Sequence, residues 1–151
     1  MRRLARGAVV DASVGVKLVV AEAGHAAARG LLERAVRDGL PMAVPEFTAL
    51  EVANALWAKT RRRQLTAALA REGLALFLQA TARFIRVPER LLATDALAIA
   101  LEYGVTAYDG CYLALARRLG VPLLSADAKL ATPPLREAFH VMLLAELGAA
   151  G

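Results

Sequence analysis

Short apolar runs alternate along this chain with longer stretches in which apolar residues return every three or four positions. The first run is Ala8 to Val10. From Gly24 to Arg37 the spacing of Ala27, Leu31, Leu32 and Ala35 predicts a helix that Gly39 stops. Met42 to Val44 reads as a second strand, and Pro45 as the residue that opens a helix running on to Arg61–Arg63. A helix from Thr66 to about Ala82 leads into a third strand at Phe84 to Val87. Helices from about Glu89 to Tyr103 and from about Ala107 to Leu119 end at Gly104 and Gly120. Val121 to Ser125 follows as a strand, and His140 to Leu144 is the last apolar run. Brief buried strands separated by amphipathic helices predict an α/β fold with a mostly parallel sheet covered on both faces.

Composition narrows this picture to one domain over residues 1–151. Of the 151 residues, 58% are hydrophobic and 22% charged, with no repeat, low-complexity tract or Pro/Gly/Ser-rich linker to divide them. A chain of this length buries roughly 68–70% of its unfolded surface, so its core needs neither disulfides nor a structural metal. Collagenous, disordered and disulfide-scaffold classes are excluded. Cys111 is the single cysteine, which rules out an internal disulfide and a Cys-based zinc site and points to a reducing compartment. Basic residues precede an apolar stretch at the N-terminus, but Asp11 and Lys17 interrupt it before it reaches membrane-spanning length. The expectation is a cytoplasmic protein. The formal net charge of +5 suits a partner with phosphates or an acidic surface, although an Arg- and Ala-rich genome produces the same bias.

The acidic residues change the picture more. Asp11 follows Val9 and Val10 directly, and Asp127 follows the strand that ends near Ser125, so both stand where a strand hands over to a helix. Asp109 lies near the start of its helix, and Glu51 in the early turns of the helix after strand two. Each has a structural explanation: Asp11 or Ser13 as an N-cap, Asp127 as the cap of the segment Ala128–Ala131, and Thr106 with Asp109 as a capping box. Val52, Ala53, Leu56 and Trp57 share one helical face, which leaves Glu51 and Asn54 on another and makes a solvated Glu51 its default reading. Taken jointly, the four acids mean more. The C-terminal ends of parallel strands lie along one edge, where open α/β proteins bind ligands. Carboxylates converging there repel unless a cation lies between them, and a hard divalent ion such as Mg²⁺ or Mn²⁺ suits oxygen ligands. Such an ion acidifies a water and neutralises a departing oxygen, so phosphodiester hydrolysis fits both the acids and the basic exterior.

The segments VVDAS at 9–13, EVANAL at 51–56, TAYDGCYLALA at 106–116 and LLSADAKL at 123–130 resemble a PIN-domain ribonuclease, specifically the VapC-type toxins of toxin–antitoxin pairs. The likeness covers nearly the whole chain in order and spacing. It implies a three-layer α/β/α fold, a Mg²⁺- or Mn²⁺-dependent endoribonuclease, a homodimer, and inhibition by a cognate antitoxin. The family's acidic quartet carries over to Asp11, Glu51, Asp109 and Asp127, with Ser13, Thr106 and Ser125 as neighbouring polar groups. On this reading Asp11, Asp109 and Asp127 hold the metal, and Glu51 ligates through water or positions the attacking water.

Other residues carry weaker signals. Arg61, Arg62 and Arg63 suit an RNA backbone, but also the C-terminal dipole of a helix. Tyr108 and Tyr112, one turn apart, suit base stacking or partial core packing. His25 and His140 lack companions at ligand spacing. Cys111 reads as a small buried residue, since no histidine partners it. No dinucleotide or P-loop fingerprint is present. Two rival readings use the same acids. A receiver-type signalling module with an acidic Mg²⁺ pocket expects paired acids after the first strand, where only Asp11 stands. A PIN-like scaffold would bind RNA or protein without cutting.

Overall fold

The computed structural model describes Leu4 and residues 6–148. Five short strands, β1 (Ala8–Val10), β2 (Met42–Pro45), β3 (Ile85–Val87), β4 (Leu123–Ser125) and β5 (Val141–Leu143), form one sheet in the order β3-β2-β1-β4-β5. Every neighbouring pair is parallel, with Val9 opposite Ala43 on one side and Leu123 on the other. The helices are α1 (Ala12–Val19), α2 (His25–Arg37), α3 (Thr48–Arg61), α4 (Ala67–Ala80), α5 (Ala93–Tyr103), α6 (Ala107–Leu119), α7 (Pro133–Phe139) and α8 (Leu144–Gly148).

The pleat explains the three layers. Ala8 and Val10 point into one hydrophobic cluster with Ala28, Ala35 and Leu144 of α2 and α8, while Val9 points into the other with Leu56, Ile99 and Leu113 of α3, α5 and α6. Leu123 and Leu124 divide between the two clusters in the same way. The sheet is thus apolar on both faces, as parallel sheets covered by crossover helices must be. Among the described residues no helix is long and apolar enough to cross a membrane.

Most predicted elements are present, with informative differences. Pro45 ends β2 opposite Val87 instead of opening α3. A strand end tolerates the missing N–H, and the Pro45 carbonyl accepts a 2.8 Å hydrogen bond from the Thr48 hydroxyl. The helix therefore starts at Thr48, which brings Glu51 into its first turn. The third strand is shorter than its apolar run, because the Phe84 N–H closes a turn onto the Thr81 carbonyl. The stretch from 89 to 91 is a 3-10 turn that precedes α5. The segment that begins at Pro133, to which the residue pattern assigns no element, forms the short α7, with proline in its first turn.

Helices α5 and α6 pack closely at Gly110. A Cβ there would lie 2.4 Å from the Ala96 carbonyl oxygen, so only glycine lets the helices approach this far. Gly104 and Gly120 close α5 and α6 in the left-handed conformation, at φ +68° and +64°.

Candidate active site

Strand β1 lies at the centre of the sheet, and the chain departs to β2 on one side and β4 on the other. That reversal opens a crevice beyond the carboxyl ends of β1 and β4. Asp11 is the first residue past β1, and its N–H still pairs with the Leu124 carbonyl at 2.9 Å. It stands at the N-cap position of α1, yet its side chain does not cap. Instead its Oδ2 accepts from the Ser13 hydroxyl at 2.5 Å and from the Ser125 hydroxyl at 2.7 Å. Those hydroxyls are themselves anchored, since Ser13 Oγ accepts from the Ala126 N–H and Ser125 Oγ from the Asp127 N–H. β4 is in this way stitched to the first turn of α1.

Glu51 is half-buried, not solvated. Helix α6 lies beside the first turn of α3, and the Tyr112 hydroxyl donates to Glu51 Oε2 at 2.6 Å. Val52 and Leu56 are buried as the wheel predicts, but Trp57 is 59% exposed, so the inward face of α3 is narrower than the sequence suggests. Asp109 completes the capping box with Thr106: its Oδ2 accepts from the Thr106 hydroxyl at 2.8 Å and from the Thr106 N–H at 3.2 Å.

Asp11, Glu51 and Asp109 therefore share one arrangement. In each, a hydroxyl group holds one carboxylate oxygen; the Ser13 backbone also reaches Asp11. All three groups also stand at or within the first turn of a helix, where the helix dipole favours negative charge.

Their electrostatics mark them as one cluster. Burial pushes the Asp11 pKa up; the serine hydrogen bonds oppose this and the charge of Asp109 adds to it. Burial likewise raises Glu51, against the Tyr112 hydrogen bond and with the charges of Asp11 and Asp109. Among the described residues no cation pairs with these carboxylates. Among the described residues no three His, Cys, Asp or Glu side chains form a group ready to hold a metal ion. Like charges with nothing between them have no reason to close up, and the donor chemistry itself fits a hard divalent ion: three carboxylates, oxygen donors only.

Asp127 is differently placed. Its N–H reaches Ser125, but its exposed carboxylate caps the 3-10 turn at residues 128–131 by accepting from the Lys129 N–H at 2.9 Å. The two tyrosines also separate: Tyr112 is buried, whereas Tyr108 is 62% exposed and packs edge-on against Phe47. Cys111 is buried as expected, and its thiol pKa is raised, first by burial. His25 bonds the Lys17 carbonyl and His140 ends α7. Arg61, Arg62 and Arg63 are exposed. A separate cleft of about 520 Å³ beside Gly120, Pro122, Arg136 and His140 opens at the opposite edge of the sheet, away from the carboxylates.

Thr48 is the site group that sequence reasoning missed, and Tyr112, read as base stacking or partial core packing, holds Glu51 instead. The available signal was helical spacing, with Thr48 one turn before Glu51 and Tyr112 one turn after Asp109.

Fold and site together define an open-sheet α/β/α protein with an uncompensated acidic cluster at its topological switch point. Residues 8–134 match the PIN domain family model, and the chain belongs to that family. It is 39% identical over 127 residues to Ribonuclease VapC3 of Pyrobaculum aerophilum, a match covering 82% of this chain and 91% of the relative. Solved structures agree in fold. A P. aerophilum protein superposes with a TM-score of 0.67 at 24% identity, covering 94% of this chain and 96% of its own. A toxin–antitoxin complex from Klebsiella pneumoniae gives 0.61 at 18% identity, covering 91% and 98%.

Proposed function

We propose that this protein is a divalent-metal-dependent endoribonuclease that hydrolyses RNA phosphodiester bonds and serves as the toxin of a toxin–antitoxin pair. The observation that carries the reading is the set of three carboxylates at the switch point, each steadied by hydroxyl hydrogen bonds and none paired with a cation among the described residues. Membership of the PIN family and the likeness to Ribonuclease VapC3 support the choice of substrate.

Asp11 and Asp109 are the residues that would hold Mg²⁺ or Mn²⁺, and Asp127 would join from the rim by releasing the Lys129 N–H. The bound ion supplies charge neutralisation at the phosphate and makes a nearby water more acidic. Ser13 and Ser125 keep Asp11 Oδ2 in place without neutralising the carboxylate. Glu51 positions the attacking water and takes its proton on Oε1, the oxygen that Tyr112 leaves free. Its raised pKa makes it a better base than an exposed glutamate. Three carboxylates without metal repel a phosphodiester, which makes activity depend on the ion.

The partners that follow are an RNA strand, a cognate antitoxin and a second copy of the chain. Purified protein is expected to cut single-stranded or loop RNA with Mg²⁺ or Mn²⁺ and to stop with EDTA. Equal cleavage in EDTA would defeat the proposal. Growth arrest on expression, relieved by a co-expressed neighbouring antitoxin, tests the toxin role.

A further inference from the structure

Tyr112 is an ordinary core residue by burial, with 1% of its surface exposed and its ring packed edge-on against Phe47 at 5.7 Å. Its hydroxyl is in unusual company. It lies 2.6 Å from Glu51 Oε2 and 2.9 Å from Thr48 Oγ1, and Thr48 in turn bonds the Pro45 carbonyl at 2.8 Å. These contacts can be counted in hydrogens. Thr48 has one, spent on a carbonyl that ends β2. Tyr112 has one, and of its two acceptors the carboxylate is both nearer and stronger. Burial, and then the charge of Glu51, push the phenol's pKa above its ordinary range, so the hydrogen stays on the oxygen.

From this geometry we infer that Tyr112 is a positioning residue for Glu51, holding Oε2 from the facing helix α6 and leaving Oε1 to work at the site. The inference deepens the ribonuclease reading and rests on it. The bond crosses between two helices, α6 supplying Tyr112 and α3 supplying Glu51, while Thr48 beside them is spent on the Pro45 carbonyl of β2. Without the phenol, a glutamate on the first turn of α3 has several rotamers open to it, and only some aim at the switch point.

Tyr112→Phe removes one oxygen and keeps the ring. Thr48 retains its own hydrogen bond to Pro45, and half-exposed Glu51 turns to water, so the variant is expected to fold and to melt within about 5 °C of wild type. With RNA and Mn²⁺, kcat is expected to fall roughly 10- to 100-fold, the range found for groups that orient a metal site's ligands, with KM changed by less than about twofold. A calorimetric titration with Mn²⁺ alone is expected to show weaker binding in Tyr112→Phe.

The double variant separates positioning from simple packing. In a Glu51→Gln background the phenol has lost the carboxylate it serves, so adding Tyr112→Phe is expected to cost less than about twofold more. A packing role predicts the same loss in both backgrounds. Folded Tyr112→Phe with wild-type kcat and wild-type Mn²⁺ affinity would overturn the inference, as would equal losses with and without Glu51. A wild type that binds Mn²⁺ yet cuts no RNA would break the ribonuclease reading, and Mn²⁺ affinity would then still judge Tyr112.

Discussion

Helix α1 has a cluster of buried or half-buried charge at each end. At its start, Asp11 meets the fields of Glu51 and Asp109 with only hydroxyl groups and backbone for company. Past its other end, Glu22 accepts hydrogen bonds from Lys17 of α1 and Lys59 of α3, at 3.2 and 2.5 Å. Burial alone would push Glu22 up, but the two ammonium groups hold its pKa below the ordinary value. One side-chain chemistry thus appears in opposite settings a few turns apart. The paired cluster ties α1 to α3, its one carboxylate answered by two ammonium groups. The unpaired cluster weakens the metal-free fold and keeps its charge for something outside the chain. Hydroxyl donors are what make the second arrangement workable: they orient a carboxylate without neutralising it.

Breaking each cluster should therefore give contrasting results, the largest at Asp11. Asp11→Asn keeps the size of the side chain and is expected to lower RNA cleavage by more than the roughly 100-fold typical of groups one shell removed from a metal, with circular dichroism unchanged. Cleavage assays at saturating Mn²⁺ check this.

The next effect comes from Gly110, which sits between Asp109 and the residues that pack α6 on α5. Gly110→Ala has to push a methyl group against the Ala96 carbonyl, and is expected to cost about 1–3 kcal/mol by denaturant unfolding. Because α6 carries Asp109 and Tyr112, the same variant should lose cleavage well below its melting temperature, while the Lys17–Glu22–Lys59 cluster stays intact.

Acidity sharpens the contrast in sign. A raised carboxylate binds a proton in the native state that the unfolded chain has already released. What Asp11 and Glu51 contribute to stability is therefore present below the ordinary carboxylate range and lost as pH rises from there through their raised values. Glu22 works in reverse: its contribution is present above that range and lost as pH falls. Unfolding of metal-free protein between about pH 4 and 7 should show Asp11→Asn losing less stability than wild type as pH rises, and Glu22→Gln losing the opposing gain. The smallest expected effect is at Lys59→Ala, about 0.5–1 kcal/mol for a partly exposed pair, with RNA cleavage unchanged.

How much of this was legible in the sequence depended on the range of the interaction. Gly104, Gly120 and the Thr106–Asp109 box are local devices, and each stands where the residue pattern placed it. Strand β1 and the position of Asp11 at its end followed from one apolar run. The helix start after Pro45 was misread, because a proline at a helix opening and one closing a strand look alike until β3 is there to pair with it. Whether Asp11 caps α1 or faces the site depended on Ser125, which lies far along the chain and arrives only with the sheet. Tyr112 was harder still. An aromatic residue on an apolar helix face announces burial, and nothing in its neighbours announces that Glu51 of another helix meets its hydroxyl.

The central claim is that Asp11, Glu51 and Asp109 form one site that a divalent ion completes. Melting wild type and Asp109→Asn across a titration of Mg²⁺ and Mn²⁺ at fixed ionic strength tests it most directly. Wild type is expected to gain about 2.7 kcal/mol at a hundredfold excess over Kd, a rise of several degrees. Asp109→Asn, with one repelling charge fewer, is expected to start at a higher melting temperature without metal and to gain less from it. A wild-type shift no larger than that of Asp109→Asn would contradict the shared site.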